Sequence, residues 1–201
     1  MYLVGLTGGI AAGKSTVAKH WVSRGGIEID ADQLAREVVA PNTLGASQIR
    51  ETFGDKFFDE AGNLDRKALG ELVFESKENL ARLEAIVHPL VQARTKELLS
   101  ELPIDSVAIY TVPLLVEANV DLSFDSVVTV EAPEAERVKR LAASRGFSEQ
   151  QAKARIANQA TPIERAARAD HILNSNQDIF LLLRDADALW EKFLTASGKQ
   201  N

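Results

Sequence analysis

The 201-residue chain contains no cysteine. That excludes disulfides and thiolate metal sites. It also lacks an apolar run of the roughly 20 residues needed to span a bilayer. No basic stretch precedes the first apolar run, Tyr2 to Leu6, as a secretory leader would require. A soluble, cytoplasmic protein is therefore expected. Positive charge is not in excess either: 23 Lys and Arg stand against 29 Asp and Glu, a net charge of -6. This argues against nucleic acid as the main partner. Internal repeats and low-complexity stretches are missing. What is present is 45% hydrophobic, enough for one compact unit with small insertions.

The most specific stretch is GLTGGIAAGKST, residues 5 to 16. It holds the G-x-x-x-x-G-K-S pattern of Gly8, Gly13, Lys14 and Ser15. A short apolar run precedes it, and a helical pattern follows, with Val17, Ala18, Trp21 and Val22 on one face. Strand, glycine loop and helix together make a P-loop. Glycines let backbone N–H groups turn inward around an anion, and the helix N-terminus adds its free N–H groups and dipole. Gly9, Ile10, Ala11, Ala12, Gly13, Lys14, Ser15 and Thr16 are thus the expected nucleotide-binding residues. Lys14 is expected to reach the terminal phosphates, and Ser15 to offer its hydroxyl to Mg²⁺. The loop alone does not choose between motors, switches and kinases.

Five short Val- and Ile-rich runs read as strands of a parallel sheet covered on both faces: 2–6, 27–29, 107–111, 126–130 and 171–173. Helical patterns lie between them, which predicts a doubly wound α/β fold. Residues 30 to 103 show only helical segments, with N-caps expected at Asp30, Asp65 and Ser76. Pro133 is expected at a first helical position and Gly146 at that helix's end. Ser148 with Gln151, and Thr161 with Glu164, read as capping boxes. The last helix, from about Ile179, places Ile179, Leu182, Leu183, Ala186, Leu189, Trp190 and Phe193 on one face.

Charge is uneven along the chain. From Pro133 to Arg168 eight basic residues face four acidic ones, so that segment is +4 and the rest is -10. Two helical insertions near a sheet edge, one of them basic, suggest a kinase. One would hold the acceptor and the other would close over the phosphates and exclude water. The expected division is a nucleotide core over 1–30, 103–132 and 169–201, an acceptor domain over 31–102 and a lid over 133–168.

Asp30 and Asp32 end the second strand, the edge that faces the ligand crevice in such sheets. One carboxylate is expected to cap the following helix and the other to hold or deprotonate an attacking hydroxyl. Capping is assigned to Asp30 and chemistry to Asp32, because a first-turn side chain is free to project outward.

Taken together, LTGGIAAGKSTV, IDADQLAREVV, HPLV, VPLLVE, RIANQ and ADHILNSN resemble the dephospho-coenzyme A kinase family, in order and spacing, from Tyr2 to about Phe193. The resemblance implies transfer of the ATP γ-phosphate to the ribose 3′-hydroxyl of dephospho-coenzyme A, with ATP and Mg²⁺ as cofactors. It implies a P-loop NTPase fold with a helical acceptor-binding domain and a mobile lid. Asp32 then matches the acidic residue at the acceptor hydroxyl. Arg36, one turn later, would hold an acceptor phosphate, and His88, before Pro89, would bind acceptor although such a histidine more often ends a helix. Pro113, Leu114 and Leu115 would wall the acceptor site, and Glu117 would bind a hydroxyl or a lid arginine. Arg140 would reach the phosphates in a closed lid, with Arg145 and Arg155 as alternates, and Asn174 would lie near adenine. A monomer or weak homo-oligomer is expected.

The chain departs from the family's usual pattern at Ala11-Ala12, Pro41-Asn42 and Val116, none of which should abolish binding. Rival readings are another small-molecule kinase, a GTP switch and a non-catalytic nucleotide module. DEAG at 59 to 62 fits D-x-x-G, but no N-K-x-D guanine motif accompanies it.

Overall fold

In the computed structural model, all residues except 113, 114, 116–121 and 199–201 are described. Along the chain run β1 (Tyr2–Gly8), α1 (Lys14–Ser23), β2 (Ile27–Asp30), α2 (Ala31–Glu37), α3 (Leu44–Phe53), α4 (Arg66–Phe74), α5 (Lys77–Ser100), β3 (Val107–Thr111), β4 (Ser126–Glu131), α6 (Glu134–Arg145), α7 (Glu149–Ala157), α8 (Pro162–Arg168), β5 (His171–Asn174) and α9 (Ile179–Ser197). The chain divides into two compact units, 1–29 with 102–201, and 30–101.

The first unit is built on the sheet, in the order β2-β3-β1-β4-β5. Central β1 pairs in parallel with β3 (Leu6 opposite Thr111) and with β4 (Gly8 opposite Val130). The loop after β1 therefore opens between two parallel neighbours, with β2 and β3 on one side of β1 and β4 and β5 on the other, the switch point where such folds bind ligands. The core joins Val4, Leu6, Ile109, Val128 and Val130 of the strands to Val17 and Trp21 of α1 and to Leu182, Trp190 and Phe193 of α9. Trp21 meets Phe193 edge-on at 5.5 Å, and its indole N–H donates to the Ala186 carbonyl at 2.9 Å. Both tryptophans are core, as their spacing predicts.

Two apolar residues leave the faces expected of them. Val22 is 41% exposed and Ile179 is 47% exposed. Each sits beside a helix end, where the packed stripe runs out and the chain meets solvent. Pro133 is the N-cap of α6 rather than its first residue, because its ψ of 147° is still extended.

The second unit packs α2 to α5 around Val39, Ile49, Phe57, Leu69 and Val73, with Leu83, Ile86 and Val87 of α5 against them. Asp30, Asp65 and Ser76 cap α2, α4 and α5 through their side chains. Asn42 takes the left-handed conformation at φ 66° that its Pro-Asn pair requires. The DEAG stretch is a turn: the Asp59 carboxylate accepts from the Asn63 N–H at 2.7 Å, and Phe58 bridges Leu64. Its bonds with Asn63 hold the Asp59 carboxyl below its ordinary range.

A histidine before a proline more often ends a helix, but not in this unit. His88 does not end a helix; α5 continues through Pro89 to Ser100. The proline removes one N–H and so one bond to the carbonyl of Ala85. That cost is accepted because apolar residues of α5 before Pro89 pack into the core, while Pro89 lies on the exposed side.

Candidate phosphate-binding site

The loop from Gly8 to Gly13 joins β1 to α1, so it inherits a fixed strand at one end and a helix N-terminus at the other. Three backbone positions here have positive φ: Gly8 at 154°, Ala11 at 59° and Gly13 at 102°. At Gly8 a methyl group would stand 2.6 Å from the Val130 carbonyl oxygen on β4, which the strand pairing cannot move. Gly8→Ala should accordingly weaken nucleotide binding at least tenfold and lower stability by about 1–3 kcal/mol, as strain of this kind costs. Calorimetric titration with ATP and a urea melt check both; wild-type values would mean the loop relaxes freely. Ala11 bears a side chain in the left-handed region, which costs it about 1–2 kcal/mol relative to the right-handed one.

The loop's polar groups are sorted by direction. Within it, the N–H of Ala12 donates to the Gly9 carbonyl at 2.9 Å and that of Thr16 to the Gly13 carbonyl at 3.0 Å. The N–H of Ile10 donates to Gln159 Oε1 at 2.8 Å. No partner among the described residues takes the N–H groups of Ala11, Gly13, Lys14 or Ser15. The carbonyls are gripped from behind. Arg137 Nε donates to the Ile10 oxygen at 2.9 Å, and Arg140 Nη1 to the Ala11 oxygen at 3.3 Å. The Ser175 hydroxyl donates to the Ala12 oxygen. A trans peptide is planar, so a carbonyl held on one side turns the next N–H to the other. Holding the Ile10 and Ala12 carbonyls therefore directs the Ala11 and Gly13 N–H groups oppositely, away from α6. With Lys14 and Ser15 at the α1 N-terminus they form a set of convergent donors, an anion nest.

Arg137 and Arg140 lie one turn apart on α6, which explains how one helix reaches consecutive peptides. Arg137 is 2% exposed. Burial, and secondarily the charge of Arg165, push its guanidinium below the ordinary arginine range. Arg140 is also bonded through Nη1 to the Ser175 hydroxyl at 3.0 Å and through Nη2 to the Ser175 carbonyl at 2.6 Å. In this structure it grips the P-loop and the loop after β5. Contact with a phosphate would require it to exchange those partners.

The remaining sequence-derived residues distribute as follows. Lys14, Ser15 and Thr16 open α1, and Asn174 ends β5 with its side-chain oxygen accepting from Asn176 N–H at 2.9 Å. Asp30 is the cap: Oδ1 accepts from the N–H of Asp32 at 2.8 Å and of Gln33 at 3.2 Å. Asp32 is exposed in the first turn of α2, and Arg36 is exposed in its last turn. His88 is exposed on α5. Asp32, Arg36 and His88 thus belong to the second unit, and the P-loop, Arg140 and Asn174 to the first. Leu115 is half-buried, while Pro113, Leu114, Val116 and Glu117 lie outside the described residues. Arg155 stacks on Phe147, its guanidinium 4.6 Å from the ring centre, and Arg145 is exposed on α6.

Thr111 ends β3 where many P-loop proteins carry an aspartate, and its hydroxyl donates to Glu28 Oε1 at 3.0 Å. Among the described residues no group of three His, Asp or Glu side chains could hold a metal by itself. One hydroxyl at the nest suits Mg²⁺, which is usually held by a few protein oxygens, substrate phosphates and retained waters.

Sequence reading missed Gln159, Ser175 and the role of Arg137. Only the RIANQ and NSN motifs touched two of them. Arg165, likewise counted only as charge, is 1% exposed and pairs with Glu131 through two 2.6 Å bonds.

Comparison with known proteins gives a consistent result. The sequence model for dephospho-CoA kinase matches residues 2–180. A dephospho-CoA kinase of Thermobifida fusca is 46% identical over 96% of each chain. Among solved structures, a Thermus thermophilus protein superimposes with a TM-score of 0.83 at 33% identity, covering 95% of this chain and 97% of its own. The dephospho-CoA kinase from Campylobacter jejuni gives 0.72 at 25% identity, covering 96% and 98%.

Proposed function

The chain belongs to the dephospho-CoA kinase family, and from that premise we propose how its residues divide the labour of the family reaction, ATP-dependent phosphorylation of dephospho-CoA to CoA, the last step of CoA biosynthesis. The observation that supports the assignment most directly is the anion nest, whose donors Ala11, Gly13, Lys14 and Ser15 have no partner among the described residues while the neighbouring carbonyls are held away.

ATP phosphates occupy that nest, with the Lys14 ammonium at the terminal phosphates. The Ser15 hydroxyl would hold Mg²⁺, which would neutralise phosphate charge when bound. Asn174 contributes near the adenine. Asp32 accepts a hydrogen bond from the ribose 3′-hydroxyl and aligns it for in-line attack, taking its proton as the new bond to the γ-phosphorus forms and the bond from that phosphorus to the bridging oxygen breaks, releasing ADP. Arg36 and His88 bind acceptor phosphate and sugar, so that residues 31–102 act as the acceptor domain. Pro113, Leu114, Leu115 and Glu117 contribute to the acceptor site from the segment after β3. The basic segment 133–168 acts as a lid, and Arg140 stabilises charge on the transferring group once it trades its carbonyl partners for phosphate oxygens. No helix among the described residues is long and apolar enough to cross a membrane. The enzyme works in the cytoplasm, as a monomer or weak homo-oligomer.

The test is ADP release by purified protein with Mg·ATP and a panel of acceptors: dephospho-CoA, adenosine, uridine, nucleoside monophosphates and gluconate. Release that depends on dephospho-CoA, with 3′-phosphorylated product, is expected. Release driven by another acceptor instead would overturn the assignment of substrate and keep the P-loop chemistry.

A further inference from the structure

A closed ring of hydrogen bonds surrounds the Ile10 peptide. The Ile10 N–H donates to Gln159 Oε1 at 2.8 Å. The same oxygen accepts from Arg137 Nη2 at 3.0 Å. Arg137 Nε then returns to the Ile10 carbonyl at 2.9 Å. Both hydrogen-bonding groups of one loop residue are thus set by two side chains from the basic segment, 127 and 149 residues away in sequence. Gln159 lies on the connection between α7 and α8, and Arg137 on α6.

The ring is built tightly. A methyl group on Gly9 would stand 2.5 Å from Arg137 Nη2, so the guanidinium lies flat against the loop backbone. With Arg137 2% exposed, solvent has little access to replace a lost partner. One acceptor oxygen facing two donors is the requirement at position 159, and an amide oxygen with its two lone pairs meets it. An apolar side chain there would leave the Ile10 N–H and one Arg137 N–H unpaired. Since the Ile10 carbonyl and the Ala11 N–H share one peptide plane, loosening the ring lets that N–H swing out of the nest.

We propose that Gln159 is a positioning residue for the nucleotide: through Arg137 and the Ile10 peptide it sets the direction of the Ala11 N–H and so the shape of the anion nest. It touches neither substrate; it acts by preorganisation. This rests on the P-loop being the ATP site, and does not depend on which acceptor is phosphorylated. A second consequence follows from where Gln159 sits. Movement of the α7–α8 connection would pull on the nest directly, coupling the basic segment to nucleotide affinity.

The experiment compares wild type, Gln159→Leu and Gln159→Glu by titration calorimetry with Mg·ATP and by steady-state kinetics. The leucine variant should bind Mg·ATP about tenfold more weakly, the scale of one buried donor left unmade. Its KM for dephospho-CoA should stay within about twofold, because the acceptor is bound elsewhere. The glutamate variant keeps two lone pairs facing the same donors, and should recover affinity to within about threefold of wild type. Equal affinity in wild type and the leucine variant would overturn the proposal. So would failure of glutamate to rescue, or a parallel rise in both KM values. Should the leucine variant not fold, amide exchange of Ile10 by NMR in nucleotide-free wild type decides: slowed exchange is expected, and the rate of an unbonded loop amide would overturn the ring.

Discussion

Replacing Asp32 by asparagine should lower kcat by about 10²–10³-fold, within the range that a positioned proton acceptor contributes. Binding of Mg·ATP should change less than about twofold, since an interaction made only in the transition state leaves ground-state binding intact. The structure makes this a clean substitution. The α2 cap is carried by Asp30, whose Oδ1 takes the N–H groups of Asp32 and Gln33. The Asp32 side chain is exposed and holds no hydrogen bond to any described residue. Asparagine matches its shape and cannot take a proton. The contrast is Asp30→Ala, which should cost about 1 kcal/mol of stability through loss of the cap. Single-turnover kinetics with calorimetry separates the two. A variant that loses ATP affinity and turnover together, with a lowered melting point, would show that Asp32 supports the helix instead of the reaction.

The second large effect concerns stability. Glu131 ends β4, and its two carboxylate oxygens meet Arg165 Nε and Nη2, each at 2.6 Å. The Arg165 side chain is 2% exposed and that of Glu131 is 16%. Arg165 also donates to the Ala160 carbonyl, and the Thr129 hydroxyl donates to Glu131 Oε1 at 2.7 Å. The pair therefore ties the end of a sheet strand to α8 and to the residue beside Gln159. Glu131→Ala leaves a guanidinium buried without its counter-charge, and should cost about 3–5 kcal/mol. For a chain of this size that lowers Tm by roughly 6–20 °C. Replacing both partners, Glu131→Leu with Arg165→Met, removes the charge as well as its partner and should recover much of the loss. Urea melts read both. A loss below about 1 kcal/mol in the single variant would place the pair with solvated surface bridges.

How far local patterns reach can be judged from particular residues. The strands were legible because each is a short apolar run, nearly fully buried in β1, β3 and β4 and only partly so in the edge strands β2 and β5, and the structure extends them by one or two residues at most. The capping boxes at Ser148 and Thr161 were legible because donor and acceptor lie three residues apart, so chain geometry alone brings them together. Pro89 shows where such a local rule stops. A local rule ends helices near proline, but it carries no information about the apolar residues of α5 before Pro89 that packing holds in place.

Arg137 and Arg165 show the opposite limit. In sequence they are two of eight basic residues in a segment that reads as a charged surface. In the structure they are 2% and 1% exposed. Nothing in their neighbours distinguishes them from Lys139 or Arg145, which stay in solvent. What selects them is the carbonyl or carboxylate that the fold brings opposite.

The sequence by itself determined the elements, the P-loop, the cap at Asp30 and the family, because each rests on residues close in the chain or on motifs in a set order. The tertiary structure alone decided which side chains hold the loop open to an anion. Gln159, Arg137, Arg140 and Ser175 reach Ile10, Ala11 and Ala12 from more than 120 residues away. Such contacts exist only once the sheet order puts β1 between β3 and β4 and brings α6 and the loop after β5 against the P-loop. Periodicity and capping act over a few residues; the direction of a peptide N–H in a nest is set by whatever packs behind it.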